Sequence, residues 1–155
     1  MAHLRIAFYK GTRPGFAGIY NRLVRWWTSS TYSHVELVLP TGRAWSASFA
    51  DGGVRSKLIA FDPLHWDFID LPGELVRGAE AWFEAHRGAK YDILGNVRFV
   101  IGPVRQGEKR WFCSEAIAAA LGFPDPWRYD PGTLSSALTI YNQPASAGFL
   151  LPEQQ

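Results

Sequence analysis

At the turn Leu71-Pro72-Gly73, the spacing of the hydrophobic residues changes from one typical of strands to one typical of helices. Most of the sequence before it consists of short β-rich segments separated by turn signals such as Pro40-Thr41-Gly42 and Asp51-Gly52-Gly53. After it, apolar residues recur at helical spacing, beginning with residues 74–86. Strands followed by helices predict an α+β fold, with an antiparallel sheet packed against helices in a single domain over residues 1–155.

The predicted elements begin and end near glycine or proline residues, or where the spacing of the apolar residues changes. Gly88 and Gly122 are placed where helix ends need a left-handed residue, and Asp130 with Pro131 is typical of a helix start. The predicted strands are 4–10, 32–39, 43–49, 54–61, 66–71 and 148–151, and the predicted helices are 12–27, 74–86, 91–101, 112–121 and 131–141.

Composition excludes several classes of protein. Hydrophobic residues make up 47% of the 155 residues, and ten Phe, seven Trp and six Tyr suffice for a packed core, so the chain is not intrinsically disordered. A net charge of +2 does not call for a nucleic-acid partner. The single cysteine, Cys113, rules out an internal disulfide framework.

The sequence shows no recognisable targeting or cofactor motif. No apolar run reaches the roughly 18 residues needed to span a bilayer, and the first residues lack a secretory pattern, so we expect a cytoplasmic protein with no integral membrane segment. Neither zinc-ligand spacing nor a phosphate-binding glycine loop occurs, so we expect no metal and no cofactor.

Cys113 is the first candidate functional residue. It lies in the first turn of the predicted helix 112–121, where the helix dipole and free backbone N–H groups favour the nucleophilic thiolate. The same helix face carries Ala116 and Ile117, which indicates packing against a sheet. The alternative interpretation is a small buried hydrophobic residue, the commonest role of a free cysteine.

His34 is the best placed of the four histidines to serve as a base for Cys113. Strand alternation places His34 and Glu36 on one face of the predicted strand 32–39. On the next strand, Ser46 and Ser48 share a face, and a hydroxyl from either would fix the imidazole tautomer. The alternatives remain open, including a purely structural histidine paired with Glu36.

Four short motifs occur in a recognisable order: Ser33-His34-Val35, Asp51-Gly52-Gly53-Val54, Gly88-Ala89-Lys90-Tyr91-Asp92 and Phe112-Cys113-Ser114-Glu115. Together they span residues 33–122. In this order the chain resembles the circularly permuted NlpC-type cysteine hydrolases, the papain-like branch that includes YiiX-like proteins and relatives of lecithin retinol acyltransferase. The resemblance implies a permuted papain-like fold in which the histidine strand precedes the cysteine helix.

The resemblance also implies residue roles. Cys113 would be the nucleophile, His34 the general base and Tyr91 a tyrosine close to the active site. The third, orienting residue would be Ser46, where the family often has an acidic group followed by an alanine. A neutral hydroxyl stabilises an imidazolium less than a carboxylate does, which leaves Glu36 as a substitute.

The resulting hypothesis is a cysteine peptidase or amidase, or an acyl-ester hydrolase or transferase, acting through a covalent acyl-enzyme. The family suggests a peptide, a peptidoglycan fragment or an acyl lipid as the substrate. One alternative is a catalytically idle binding or assembly module of the same fold. Another is a nucleic-acid binder that uses the basic and aromatic cluster Arg22, Arg25, Trp26 and Trp27.

Overall fold

Alternating apolar and polar residues form the strands of one mixed sheet. The computed structural model describes residues 3–11, 19, 22, 25, 26, 29–92 and 110–142. Within these residues the strands are β1 (Leu4–Tyr9), β2 (His34–Val38), β3 (Arg43–Ser48), β4 (Gly53–Leu58), β5 (Trp66–Leu71), β6 (Lys90–Tyr91) and β7 (Arg110–Trp111).

The strand order across the sheet is β5-β1-β2-β3-β4-β6-β7. All neighbouring strands are antiparallel except β6 and β7, which are parallel. Ile6 of β1 lies opposite Leu37 of β2, which in turn lies opposite Trp45 of β3. This register places β2 in the interior of the sheet, so its side chains are shielded on both sides.

In the described part of the chain, three α-helices cover one face of the sheet: α1 (Leu75–Ala85), α2 (Cys113–Ala120) and α3 (Pro131–Tyr141). Helix α2 packs against β2, β3 and α1. The small buried side chains of Ala116 and Ala118 allow the close approach of this helix to its neighbours. The sheet residues of this apolar core include Leu4, Ile6, Phe8, Val35, Leu37, Leu39, Trp45, Ala47, Val54 and Leu71.

The second face of the sheet is more polar. Ala7, Tyr9 and Trp66 form a small apolar cluster there. Beside this cluster, the carboxylate of Glu36 on β2 binds the guanidinium of Arg55 on β4, across the intervening strand β3. This ion pair links β2 directly to β4, in addition to the backbone hydrogen bonds that each of these strands makes with β3.

The structure confirms the predicted α+β class and most of the described elements. Strand β5 has the predicted bounds, β1, β2 and β3 are shorter than predicted by one to three residues in all, and β4 begins one residue earlier and ends three residues earlier than predicted. Asp130 caps α3 as expected, with its carboxylate accepting hydrogen bonds from the N–H groups of Gly132 and Thr133. Tyr91, predicted to begin a helix, instead lies in β6, because this segment pairs with β7. The pairing partner lies 20 residues along the chain, beyond the reach of local periodicity.

Three predictions fall wholly or mainly outside the described residues. They are the helix 12–27, the remainder of the helix 91–101 and the strand 148–151. In the part of the chain that the structure describes, no helix combines the length and apolar character required to cross a membrane.

Candidate active site

Cys113 is the first residue of α2, immediately after the extended residue Phe112. The side chain of Glu115 reaches back to accept a hydrogen bond from the backbone N–H of Phe112 at 3.2 Å. The carbonyl of Phe112 accepts the first helical hydrogen bond, from the N–H of Ala116 at 2.9 Å. These contacts fix the first turn, so the direction of the Cys113 side chain is set by the helix start.

The sulfur of Cys113 lies against β2. The residue is only 1% exposed, and burial raises the pKa of its thiol to about 12. Backbone hydrogen bonds from Val35 and Ser114 oppose this rise, whereas the negative charge of Glu36 adds to it. The expected lowering of the thiol pKa by the helix start is therefore reversed, because the loss of solvent outweighs the backbone N–H groups.

His34 begins β2, one residue before the backbone that contacts the sulfur. Its Nε2 lies 2.8 Å from Oε1 of Glu36, and its side chain is 15% exposed. An ionised carboxylate only accepts hydrogen bonds, so Nε2 carries the proton and Nδ1 is the basic nitrogen of the neutral ring. Among the described residues, no hydrogen bond joins this ring to the sulfur of Cys113, which approaches β2 from the helix-covered face.

Glu36 is a fully buried carboxylate with two cationic neighbours. Burial alone would raise its pKa, but hydrogen bonds from Arg55 and His34 outweigh that effect and hold the pKa at about 2. The guanidinium of Arg55 binds both carboxylate oxygens, at 2.6 and 2.7 Å. This bidentate geometry is the strongest form of the pair and fixes the plane of the carboxylate. Glu36 is therefore ionised and rigid at neutral pH.

The network continues outward from Arg55. Its Nε donates to Asp51 at 2.7 Å, and Nζ of Lys57 donates to the same carboxylate oxygen at 2.7 Å. Burial opposes ionisation of Asp51, but hydrogen bonds from Lys57, Arg55 and Ser48 lower its pKa well below the usual range. The chain Asp51, Arg55, Glu36 and His34 thus connects the surface to the imidazole through charge-assisted hydrogen bonds.

Ser46 has a different role from the one implied by the family resemblance. Its hydroxyl donates to the carbonyl of Val35 at 2.7 Å and lies 3.2 Å from the carbonyl of Ala47. Backbone pairing of β2 with β3 begins further along, at Leu37 opposite Trp45, so the hydroxyl satisfies a carbonyl that this ladder leaves open. The contact on His34 is made by Glu36, an alternative that the sequence had left open.

Tyr91 is buried in β6 and makes an edge contact with Phe112, with 5.9 Å between the ring centroids. Phe112 directly precedes Cys113. The tyrosine of the third motif therefore packs one residue away from the nucleophile candidate, and it supports the start of α2 through the ring of Phe112.

The basic and aromatic cluster is only partly described. Arg25 donates a hydrogen bond to the carbonyl of Lys10 at 2.9 Å, which joins this segment to the end of β1. Trp26 is 73% exposed, and Trp27 lies outside the described residues. Arg25 thus has a structural partner of its own, and the nucleic-acid alternative gains no support from it.

Comparison with known proteins leaves the family open, since no family model and no curated protein matches the chain. Within the described residues, no group of three His, Cys, Asp or Glu side chains could hold a metal ion.

The sequence pattern did not indicate Arg55 or its contact with Glu36 as part of the site. The only available signal was the position of Arg55 directly after the Asp51–Val54 motif.

Proposed function

We propose that this protein is a cysteine hydrolase with a circularly permuted papain-like fold, which cleaves an amide or ester bond through an acyl-enzyme. One observation carries the proposal. Nε2 of His34 is held by the buried carboxylate of Glu36, while the sulfur of Cys113 contacts the backbone of the very next residue, Val35. A thiol, an imidazole and a carboxylate in this order are the components of a thiol acyl-transfer site.

The protonation states define the chemistry. A thiol with a pKa of about 12 is protonated at neutral pH, so Cys113 does not rest as a thiolate. Its proton must leave as the sulfur attacks, and Nδ1 of His34 is the basic nitrogen that accepts it. The negative charge of Glu36 stabilises the imidazolium formed in this step. Strand alternation places the His34 ring beside Glu36, on the face of β2 opposite to the Cys113 sulfur. His34 is the first residue of β2, so the proposed transfer requires Nδ1 to reach the sulfur around the start of the strand when substrate binds.

The reaction follows in two stages. The sulfur of Cys113 forms a bond to the substrate carbonyl carbon while its proton moves to His34, and the carbonyl electron pair moves to oxygen. Collapse of this intermediate breaks the bond to the amine or alcohol, which takes the proton from His34. Water then attacks the thioester with His34 again acting as the base, which releases the acid and restores the thiol.

Backbone N–H groups at the start of α2 are suited to stabilise the oxyanion. The N–H groups of Cys113 and Ser114 lie in the first turn, where a helix supplies no carbonyl partner. Both favour the charged form of the Cys113 thiol and so oppose the rise in its pKa that burial causes. Each preorganised donor of this kind contributes about 3 kcal/mol to transition-state stabilisation.

A second candidate is a catalytically idle module of the same fold. The observation that favours it is the near-complete burial of Cys113, whose thiol pKa is raised rather than lowered. In that case Cys113 would be a core residue and the His34–Glu36 pair a structural ion pair. A substrate, whether a peptide, a peptidoglycan fragment or an acyl lipid, is expected only for the cysteine hydrolase.

Acylation by an activated ester separates the two candidates. The folded protein is incubated with p-nitrophenyl acetate and its intact mass is measured, with His34→Asn as the test variant and Cys113→Ser as the blank. His65→Asn is the matched control, because the His65 ring also pairs with an acidic side chain but is half exposed. We expect one acetyl group on the wild type and on the control, and none on the other two. An adduct that His34→Asn leaves unchanged, or no adduct above the blank, would favour the idle module.

A further inference from the structure

We propose that a cavity between the end of α1 and strands β6 and β7 binds a phosphate-type oxyanion. The cavity has a volume of about 550 Å³, sufficient for a small anionic ligand. It is lined by Ala85, His86, Arg87, Gly88, Ala89, Lys90 and Arg110. The lining residues include three permanent cations and one histidine, without an acidic residue among them.

The central observation is a pair of like charges held side by side. Lys90 and Arg110 are directly opposite each other in the parallel pairing of β6 and β7. Both side chains are exposed, and neither forms an ion pair or a side-chain hydrogen bond within the described residues. Like charges in directly opposed positions destabilise a sheet. An anion between them converts this repulsion into two attractive contacts.

The other two polar residues of the cavity, Arg87 and His86, differ in whether they have an atom left to bind a ligand. Arg87 is already neutralised by Glu84, which accepts two hydrogen bonds from its guanidinium at 2.7 and 2.9 Å. Nδ1 of His86 lies 2.7 Å from the carbonyl of Trp82, and the ring stacks on Trp82 at a centroid distance of 3.9 Å. The His86 ring is thus held in place, and its Nε2 is the nitrogen left for a ligand.

These features favour a phosphate group over a single carboxylate. A tetrahedral oxyanion presents several oxygens and so can contact an ammonium and a guanidinium at once, and lysine and arginine are the usual binders of phosphate. The phosphate could be carried by a free small molecule or by a lipid headgroup. The inference does not depend on catalysis by Cys113, since no lining residue belongs to the proposed catalytic group.

Inorganic phosphate is the first probe. It is titrated at constant ionic strength into the ¹⁵N-labelled protein, and the amide resonances of residues 86–90 and 110 are followed. We expect saturable shifts confined to these residues, and at least tenfold weaker binding in the double variant Lys90→Gln/Arg110→Gln. The matched control is Arg77→Gln, an exposed arginine of α1 outside the cavity, which should bind as the wild type does. The variant Cys113→Ser should also bind normally, whether or not the protein is an enzyme.

Vesicles identify the source of the phosphate. Phosphatidylcholine vesicles with and without phosphatidic acid are sedimented with the wild type and the double variant. Binding that needs phosphatidic acid and is lost in the double variant, without binding of inorganic phosphate, supports the site with a lipid headgroup as its ligand. Saturable binding of inorganic phosphate supports it with a free phosphate. Absence of binding in both experiments, or binding that the double variant retains, overturns the inference.

Discussion

Replacing Arg55 by methionine should destabilise the protein and reverse part of its pH dependence. The substitution removes both hydrogen bonds to the buried carboxylate of Glu36 but keeps an apolar side chain of similar length. Asp51 retains Lys57 as a partner, so the main consequence falls on Glu36. Removing one partner of a buried ion pair typically costs about 3–5 kcal/mol, because the other charge remains buried without it.

The pH dependence follows from the pKa of Glu36. In the wild type this pKa falls from 4.5 in the unfolded chain to about 2 in the folded protein. The ionised carboxylate therefore contributes about 3 kcal/mol of stability above pH 4.5, which is lost as the pH falls toward 2. Without Arg55, burial becomes dominant and the folded-state pKa rises above 4.5. The folded state then binds more protons than the unfolded state, so stability decreases as the pH rises from 4.5 to neutral.

Urea denaturation between pH 3 and pH 8 measures both effects. Arg5→Met is the matched control, because the pair of Arg5 with Asp70 is half exposed and should contribute less than about 1 kcal/mol. The double variant Glu36→Gln/Arg55→Met should recover part of the loss, since no buried charge remains. The reasoning is refuted if Arg55→Met costs no more than the control, or if its stability still falls with decreasing pH as in the wild type.

Two further predictions concern the backbone. Asp130→Ala removes the side chain that caps α3 through the N–H groups of Gly132 and Thr133, and should cost about 1 kcal/mol in thermal denaturation; an unchanged melting temperature would contradict the cap assignment. Gly53→Ala would drive a methyl group into the carbonyl oxygen of Ala89, and should cost about 1–3 kcal/mol in urea denaturation. Gly52→Ala has a positive φ but nothing within 4 Å of the added methyl, so a loss no greater than in that variant would exclude the steric argument.

Local sequence patterns predict most of the described strands and helices. The strands were predictable because they are short β-rich segments between turn signals, with clear alternation in residues 32–39, and α3 because Asp130 and Pro131 signal its start. The short strands β6 and β7 were not predictable, because two residues carry no periodicity and their partners are distant in sequence. The same lack of local signal explains why the sequence pattern predicts a helix at Tyr91, which lies in β6.

The sequence indicates candidate residues for the site but not their electrostatics. Strand alternation placed Glu36 beside His34, but only the register of β2, β3 and β4 reveals that Arg55 reaches the same carboxylate. The position of Cys113 at a helix start is visible in the sequence, whereas the burial that raises its pKa depends on packing against β2. Ser46 could not be assigned from a pattern alone, because its hydroxyl serves a gap in the ladder near Val35.

The tautomer of His34 tests the central claim most directly. Long-range ¹H–¹⁵N correlation spectra of the neutral imidazole distinguish a proton on Nε2 from one on Nδ1. Our account predicts the proton on Nε2, bound to Glu36, with Nδ1 unprotonated and able to accept the proton of Cys113. The Glu36→Gln variant should lose this preference. A proton on Nδ1 in the wild type would contradict the account, because His34 could not then act as the base at that nitrogen.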